Sequence, residues 1–344
     1  MPKYEYTAIY LTVRMLFKRS YPHLLLLAIF MPIFTKAQDI DSLMRVEADT
    51  FISNLPDGLQ QKQKSAIKSA INGDTAALRR VRNSRNAEAE LSTGVKATYL
   101  NHSMRLYEIE NDTTTLPLLI YLHGGGWTFG SINSCSRFCD AIAASGAARV
   151  LAIDYSLAPE SPFPAALNDC TAALEYAHTN AAILKTTPAL ISIGGDSAGG
   201  NLAVAAALKC GCLPVRSLIL FYPVTKAYAD DSESWNKYGH GYGLDADLMA
   251  EFNKAYTIGT TPYNPLISIS SAKTENLAKL PPTLLVGAGR DILRDQGKEF
   301  ADRLPDIVRR VEFPGAVHLF ITVPGQPTAF KKAVELSINC LSKY

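Results

Sequence analysis

The chain has 344 residues, 47% hydrophobic and 19% charged, enough for one large domain with its own core. Its formal net charge of +2 gives no electrostatic case for nucleic acid, and no run of like charges marks an interaction tail. The sequence carries neither internal repeats nor low-complexity tracts, which excludes solenoid and fibrous architectures.

The N-terminus differs from the rest. Lys18 and Arg19 precede an apolar run from Leu24 to Phe34, followed by Thr35-Lys36-Ala37-Gln38. A basic segment, a short apolar stretch and small residues make a secretory leader over 1–37, cleaved after Ala37, with Met15 as an alternative start. The run is interrupted by Pro32 and is too short to cross the ~30 Å of bilayer hydrocarbon. An uncleaved anchor is the competing reading, but the polar stretch after Ala37 does not resemble a stop-transfer flank. The mature chain, 38–344, is therefore expected to be secreted or periplasmic, without stable membrane insertion. Its cysteines are Cys135, Cys139, Cys170, Cys210, Cys212 and Cys340. Their spacing favours no disulfide and matches no zinc site, so they read as small buried apolar groups. No metal or cofactor is expected.

From Asp39 to about Glu90 the pattern is helical and polar-rich, with short amphipathic segments at Ser65–Ile71 and Ala76–Val81. Val95–Leu100 and Met104–Ile109 read as strands, antiparallel at a sheet edge. Strand candidates, short apolar runs for the most part, follow at Leu118–Leu122, Arg149–Ile153, Leu190–Ile193, Ser217–Phe221, Thr283–Val286 and Val308–Phe313. Helical segments separate them at Ser136–Ala144, Ala165–Asn180, Ala198–Lys209, Asp295–Arg303 and Thr328–Leu341. This alternation predicts an α/β fold, a mostly parallel sheet with helices on both faces. Between Tyr222 and Leu280 no core strand is predicted, only the turn Gly239–Gly243 and a helix over Asp245–Tyr256. An insertion of that length is usually functional, and it reads as a lid joined by the N-terminal helices.

Two motifs carry chemistry. Gly195-Asp196-Ser197-Ala198-Gly199 lies between a predicted strand and an alanine-rich helix. That context makes it a nucleophile elbow, in which glycines admit a turn too sharp for side chains and expose the serine hydroxyl. His123-Gly124-Gly125-Gly126-Trp127 follows the strand Leu118–Leu122. Acyl transfer passes through a tetrahedral oxyanion, and glycines bring backbone N–H donors close to it. Gly124, Gly125 and Ala198 are the expected donors, and His123 is expected to hold the loop. A phosphate cradle is the alternative, but no G-K-[ST] follows. The triad partners should come in the order serine, acid, histidine. His240 lies in the irregular insertion, whereas His318 follows the last strand, where a base hangs over the strand ends. Asp291, after the penultimate strand, is the expected acid; Asp295 is its competitor and is expected to cap its own helix.

At these residues the chain resembles the hormone-sensitive lipase family of bacterial esterases and their plant relatives, within the α/β-hydrolase superfamily. The resemblance rests on H-G-G-G-W, on G-D-S-A-G-G at Gly195–Gly200, on Asp154–Glu160 with Pro162–Ala166, and on Pro281–Thr283 leading to Asp291–Asp295. It runs from about Leu118 to the C-terminus. Ser156, Ile292 and Leu319 depart from the usual arginine, proline and glycine; none removes a catalytic atom, and what they affect is loop packing and pocket shape. The resemblance implies an α/β-hydrolase fold with a helical cap, contributed here by about 38–90 and 225–280. It also implies a serine carboxylic ester hydrolase acting on small, short-acyl-chain esters through an acyl-enzyme on Ser197. The alternatives are a sugar-acetyl esterase and a non-catalytic ligand-binding protein on the same fold.

Overall fold

A computed structural model of the protein describes residues 24–84 and 86–343, with side chains from residue 39 onward. The basic part of the expected leader lies outside the described residues. The chain divides into two compact units, Met1–Leu43 and Met44–Tyr344. The described part of the first belongs to the helix Leu24–Ser53 (α1). Among the described residues no helix is long and apolar enough to cross a membrane. The second unit holds the whole sheet.

Helices Leu59–Ile71 (α2) and Ala76–Ser84 (α3) precede the sheet. Helix α2 starts earlier than its amphipathic stretch suggests, because Gly58 turns the chain at φ 66. Its buried residues Gln63, Ala66, Ile67 and Ala70 recur at helical spacing on one face. One member of that face is polar.

Strands β1 (Val95–Asn101) and β2 (Met104–Ile109) form a hairpin. The chain then alternates through β3 (Leu118–Leu122), α4 (Ser136–Ala144), β4 (Arg149–Ile153), α5 (Ala165–Thr179), β5 (Ile191–Asp196), α6 (Ala198–Lys209) and β6 (Leu218–Phe221). Helices α7 (Glu233–Tyr238), α8 (Ala246–Tyr256) and the single turn α9 (Thr274–Leu277) follow. Strand β7 (Thr283–Ala288), α10 (Arg294–Asp302), β8 (Val308–Phe313) and α11 (Pro327–Lys343) complete the domain. The eight strands make one sheet in the order β1-β2-β4-β3-β5-β6-β7-β8. Pairs β1–β2 and β2–β4 are antiparallel and the rest parallel, as the alternation predicts.

Every residue of β3 to β7 is buried. Unbroken apolar runs such as Leu118–Leu122 are what a strand covered on both faces requires. Helix α6 is buried throughout Ala198–Ala206, and its small side chains let it lie close to the sheet. Strand β5 runs three residues beyond the predicted Ile193, with Gly194 paired to Ile219 and Gly195 paired to Leu122. Glycine is a poor strand former on its own; pairing on both sides overrides that preference. The strand therefore ends directly on Ser197. All six cysteines are unpaired, and only Cys212 is exposed.

The stretch Tyr222–Leu280 contains helices and no strand. Asn201 on α6 anchors it through Nδ2, which donates to Val224 O at 2.8 Å and Ile267 O at 2.7 Å. The N-terminal helices reach the same region: Lys64 pairs with Asp247 at 2.8 Å, and Asp245 N donates to Gln60 Oε1 at 2.7 Å. Arg82 on α3 donates to Thr128 O and Ala158 O, each at 2.8 Å, and pairs with Glu160.

Candidate active site

Ser197 occupies the turn between β5 and α6 with φ 53 and ψ −117. A non-glycine residue with positive φ is strained, and the surroundings hold it there. Ser197 N donates to Phe221 O at 2.9 Å, and Ser197 O accepts from Val224 N at 3.2 Å. The flanking glycines are obligatory, since a Cβ on Gly195 would lie 2.3 Å from Leu122 O, and one on Gly199 would lie 2.0 Å from the same atom.

His318 Nε2 lies 3.1 Å from Ser197 Oγ, and His318 Nδ1 lies 2.6 Å from Asp291 Oδ2. The other oxygen of Asp291 accepts from Leu293 N at 3.1 Å. Exposure is 5% for Ser197, 2% for His318 and 1% for Asp291, so this chain of hydrogen bonds runs through a largely dehydrated site. The three residues singled out from the sequence thus meet in one line. The competitors do not join them. His240 is exposed in the insertion. Asp295 accepts from Ser234 N at 2.7 Å and pairs with Arg294. It lies in the first turn of α10, so it caps the neighbouring helix α7 rather than its own, a correction to the expectation.

The glycine loop brings a second correction. Gly124 N donates to Asp196 Oδ1 at 3.0 Å, so this N–H is already used and is not a free oxyanion donor. The N–H groups of Gly125, Gly126 and Ala198 have no partner among the described residues. Sequence reasoning took the first two glycines of the motif as equivalent; the first in fact ties the loop to the elbow. Gly125 and Gly126 have φ 122 and 60, and a Cβ on Gly126 would strike the Phe252 ring at 2.2 Å. His123 behaves as the sequence suggests. Its Nδ1 lies 2.8 Å from Gly124 O, its ring stacks on Tyr155 at 4.2 Å, and burial pushes its pKa down. Tyr155 Oη donates to His123 O at 2.6 Å, so the Asp154–Glu160 block braces the glycine loop.

Three side chains were not legible as functional. Asp196 is fully buried; its Oδ1 also accepts from Tyr121 Oη at 3.1 Å, while its Oδ2 has no partner. Burial pushes its pKa up to about 6, against the pull of nearby His318. The position inside G-D-S-A-G was the available signal. Gln326 is 1% exposed and wraps the backbone at His318. Its Oε1 accepts from Val317 N at 2.9 Å, and its Nε2 donates to His318 O at 3.0 Å and to Val317 O at 3.2 Å. Nothing in the sequence marks this glutamine. Tyr222 packs against the His318 ring at 4.4 Å, and its Oη accepts from Ile321 N at 3.1 Å.

Two hollows reach Leu319, the residue after His318, and neither is lined by Ser197, His318 or Asp291. A small one of about 80 Å3 lies against Gly124, Gly125, Phe129 and Leu319. An open cleft of about 750 Å3 lies between 51–64 and 240–248, and shares Leu319 and Val323 with the smaller. Leu319 stands where the resembling family has glycine, and it keeps the left-handed conformation glycine would adopt, at φ 73.

Comparison with known proteins agrees with this architecture. The chain is 35% identical over 214 residues to carboxylesterase NlhH of Mycobacterium tuberculosis, covering 60% of this chain and 67% of that one. It is 36% identical over 199 residues to carboxylic ester hydrolase LipN of the same organism, covering 55% of this chain and 52% of that one. A fungal esterase structure from Rhizomucor miehei superposes with a TM-score of 0.69 at 27% identity, covering 81% of this chain and 95% of that one. Residues 119–322 match the family described by the alpha/beta hydrolase fold. With a hydrogen-bonded Ser197–His318–Asp291 line at the ends of its parallel strands, the chain belongs to the alpha/beta hydrolase family, in the branch that contains the hormone-sensitive lipase-like esterases.

Proposed function

We propose that the protein is a serine carboxylic ester hydrolase that works through an acyl-enzyme on Ser197. The observation that carries this reading is the unbroken line from Ser197 Oγ to His318 Nε2 at 3.1 Å and from His318 Nδ1 to Asp291 Oδ2 at 2.6 Å. His318 takes the hydroxyl proton as Ser197 attacks the ester carbonyl, and Asp291 orients the imidazole and stabilises its charged form. The N–H groups of Gly125, Gly126 and Ala198 hold the oxyanion. His318 then protonates the departing alcohol and activates the water that releases the acid. The esterase names of the relatives support the same chemistry. The small hollow beside the glycine loop, about 80 Å3, favours a short acyl chain.

The segments about 38–90 and 225–280 act as the cap in this reading, supported by the Lys64–Asp247 and Gln60–Asp245 contacts between them. The leader is removed after Ala37 and the mature chain is secreted or periplasmic. A purely ligand-binding role is disfavoured because the base hydrogen-bonds both partners. The deciding experiment is hydrolysis of p-nitrophenyl esters from acetyl to dodecanoyl by the mature protein and by Ser197→Ala. Turnover that peaks at short chains and disappears in the variant supports the proposal; turnover that survives in Ser197→Ala overturns it. Mass spectrometry of the exported protein should show a chain starting at Gln38, and an intact membrane-bound N-terminus would reverse the leader assignment.

A further inference from the structure

Leu319 and Val323 line both the small hollow beside the glycine loop and the large cleft, and among the described residues no other does. Side chains that face two spaces are the wall between them. The two are held as a pair. Val323 N donates to Leu319 O at 2.9 Å, and a spacing of four residues in such a turn puts both side chains on one side of it. Leu319 keeps its place at φ 73, a conformation that a leucine adopts only under strain. Glycine would adopt it freely, so the strain marks the side chain itself as the part that matters.

The spaces on either side of this wall differ in size. The small hollow is lined by Gly124 and Gly125 and closed by Phe129, which is 1% exposed. With the Gly125 N–H on the oxyanion, this hollow is where an acyl tail lies. At ~30 Å3 per water-sized group, a volume of about 80 Å3 takes roughly three groups beyond the carbonyl, the tail of a butanoyl ester. Across the wall, Phe51, Ile52 and Leu55 pack with Leu319 and Val323 in one apolar cluster, and they line the cleft of about 750 Å3. None of the triad lines that cleft, so an acyl tail would reach it past Leu319 and Val323.

We propose that Leu319 and Val323 determine acyl-chain specificity: they are a partition that ends the acyl pocket, and the cleft behind them is an apolar extension of that pocket which they keep out of use. The proposal rests on the acyl-enzyme reading above and names what sets its chain-length limit. The substrates are then esters of acids no longer than butanoic acid, and the cut-off lies in two side chains rather than in the extent of the fold. A methylene gained or lost in an apolar pocket changes kcat/KM by about 10- to 200-fold, so opening the partition should be plainly visible in the rates.

The test keeps the alcohol constant and varies the acyl chain. The mature protein, Leu319→Ala, Val323→Ala and Ser197→Ala are assayed on p-nitrophenyl butanoate and p-nitrophenyl octanoate. The wild type should favour butanoate, and the octanoate-to-butanoate ratio of kcat/KM should rise about tenfold or more in Leu319→Ala. Ile52→Trp placed on Leu319→Ala refills the cleft and should return the ratio towards the wild-type value, which it would not do if the first change had merely loosened the site. The ratio is internal to each preparation, so a partly unfolded variant does not distort it; if Leu319→Ala fails to accumulate, Val323→Ala decides by the same ratio. A wild type that prefers octanoate, a ratio within about twofold of wild type in both alanine variants, or a gain that survives Ile52→Trp overturns the proposal. Turnover that depends on Ser197 with an unmoved ratio would remove the partition and leave the acyl-enzyme standing; turnover retained in Ser197→Ala would remove the acyl-enzyme, and the partition with it.

Discussion

Replacing Gln326 tests whether the base is positioned by a side chain that never touches substrate. Gln326→Ala leaves Val317 N, Val317 O and His318 O without the partners they have at 2.9, 3.2 and 3.0 Å. A buried group stripped of its partner costs about 1–3 kcal/mol, and water entering the vacated space recovers part of it, so a stability loss of about 3 kcal/mol is expected. Leu319, the next residue, is strained at φ 73, which amounts to about 1–2 kcal/mol pulling on the same backbone once the clamp is gone. A displacement of the imidazole by about 1 Å lowers turnover by about 100-fold. The assay is steady-state hydrolysis of p-nitrophenyl acetate, normalised to folded protein by circular dichroism. The expected result is a fall in kcat of about 10- to 100-fold with KM within about threefold. Gln326→Glu, which keeps the acceptor for Val317 N, should fall between the two. Leu319→Gly placed on Gln326→Ala should recover about fivefold by relieving the strain. A folded Gln326→Ala with kcat within about twofold of wild type would refute the reasoning, and a rescue variant with no gain would remove Leu319 from it.

Three further outcomes are expected. His318→Ala and Asp291→Asn should each lower kcat by about ten-thousand-fold while leaving KM for a short ester near its wild-type value; an unchanged rate in either takes that residue out of the triad. Gly199→Ala should abolish activity and depress the melting temperature, because its Cβ would sit 2.0 Å from Leu122 O; a fully active, stable variant would show that the elbow can shift. Asp196 provides a pH signature. Its folded pKa is raised to about 6 by burial, so the folded state holds the proton more tightly than the unfolded chain does. That stabilisation is present in full below the unfolded value of 3.8 and is lost as pH rises through about 6. A rise from 3.8 to about 6 corresponds to about 3 kcal/mol, so the wild type should lose stability between about pH 4 and pH 7 that Asp196→Asn retains. Parallel melting curves against pH would contradict this.

The fold was legible because its signals are strong and local. Runs such as Leu118–Leu122 and residues 150–153 are apolar without alternation, and each is followed by a helix. The three triad positions were legible for a related reason: the topology places each on the loop after a strand, in an order that the chemistry constrains. What the sequence did not reveal depends on distant partners. Gly195 reads as part of the elbow turn, yet with Gly194 it extends β5, because neighbours on both sides pair with them. Gly124 and Gly125 look alike in sequence, yet Asp196 reaches the N–H of the first and the second turns to φ 122. Gln326 resembles any polar loop residue until the chain folds it back on His318.

The ties that hold the N-terminal helices bear on the order in which the molecule assembles. Thr328 N donates to Glu47 across 281 residues of chain, Arg290 pairs with Asp49 across 241, and Lys64 reaches Asp247 across 183. Arg82 of α3 finds Thr128, Ala158 and Glu160 sooner, so it is the three ties of long separation that form late in folding. These ties are polar and half-exposed, whereas Ala66, Ile67, Ala70 and Leu78 of the same helices lie in the main apolar core, so the ties release at lower cost than the helices themselves. The segment these ties hold forms one wall of the cleft that reaches Leu319.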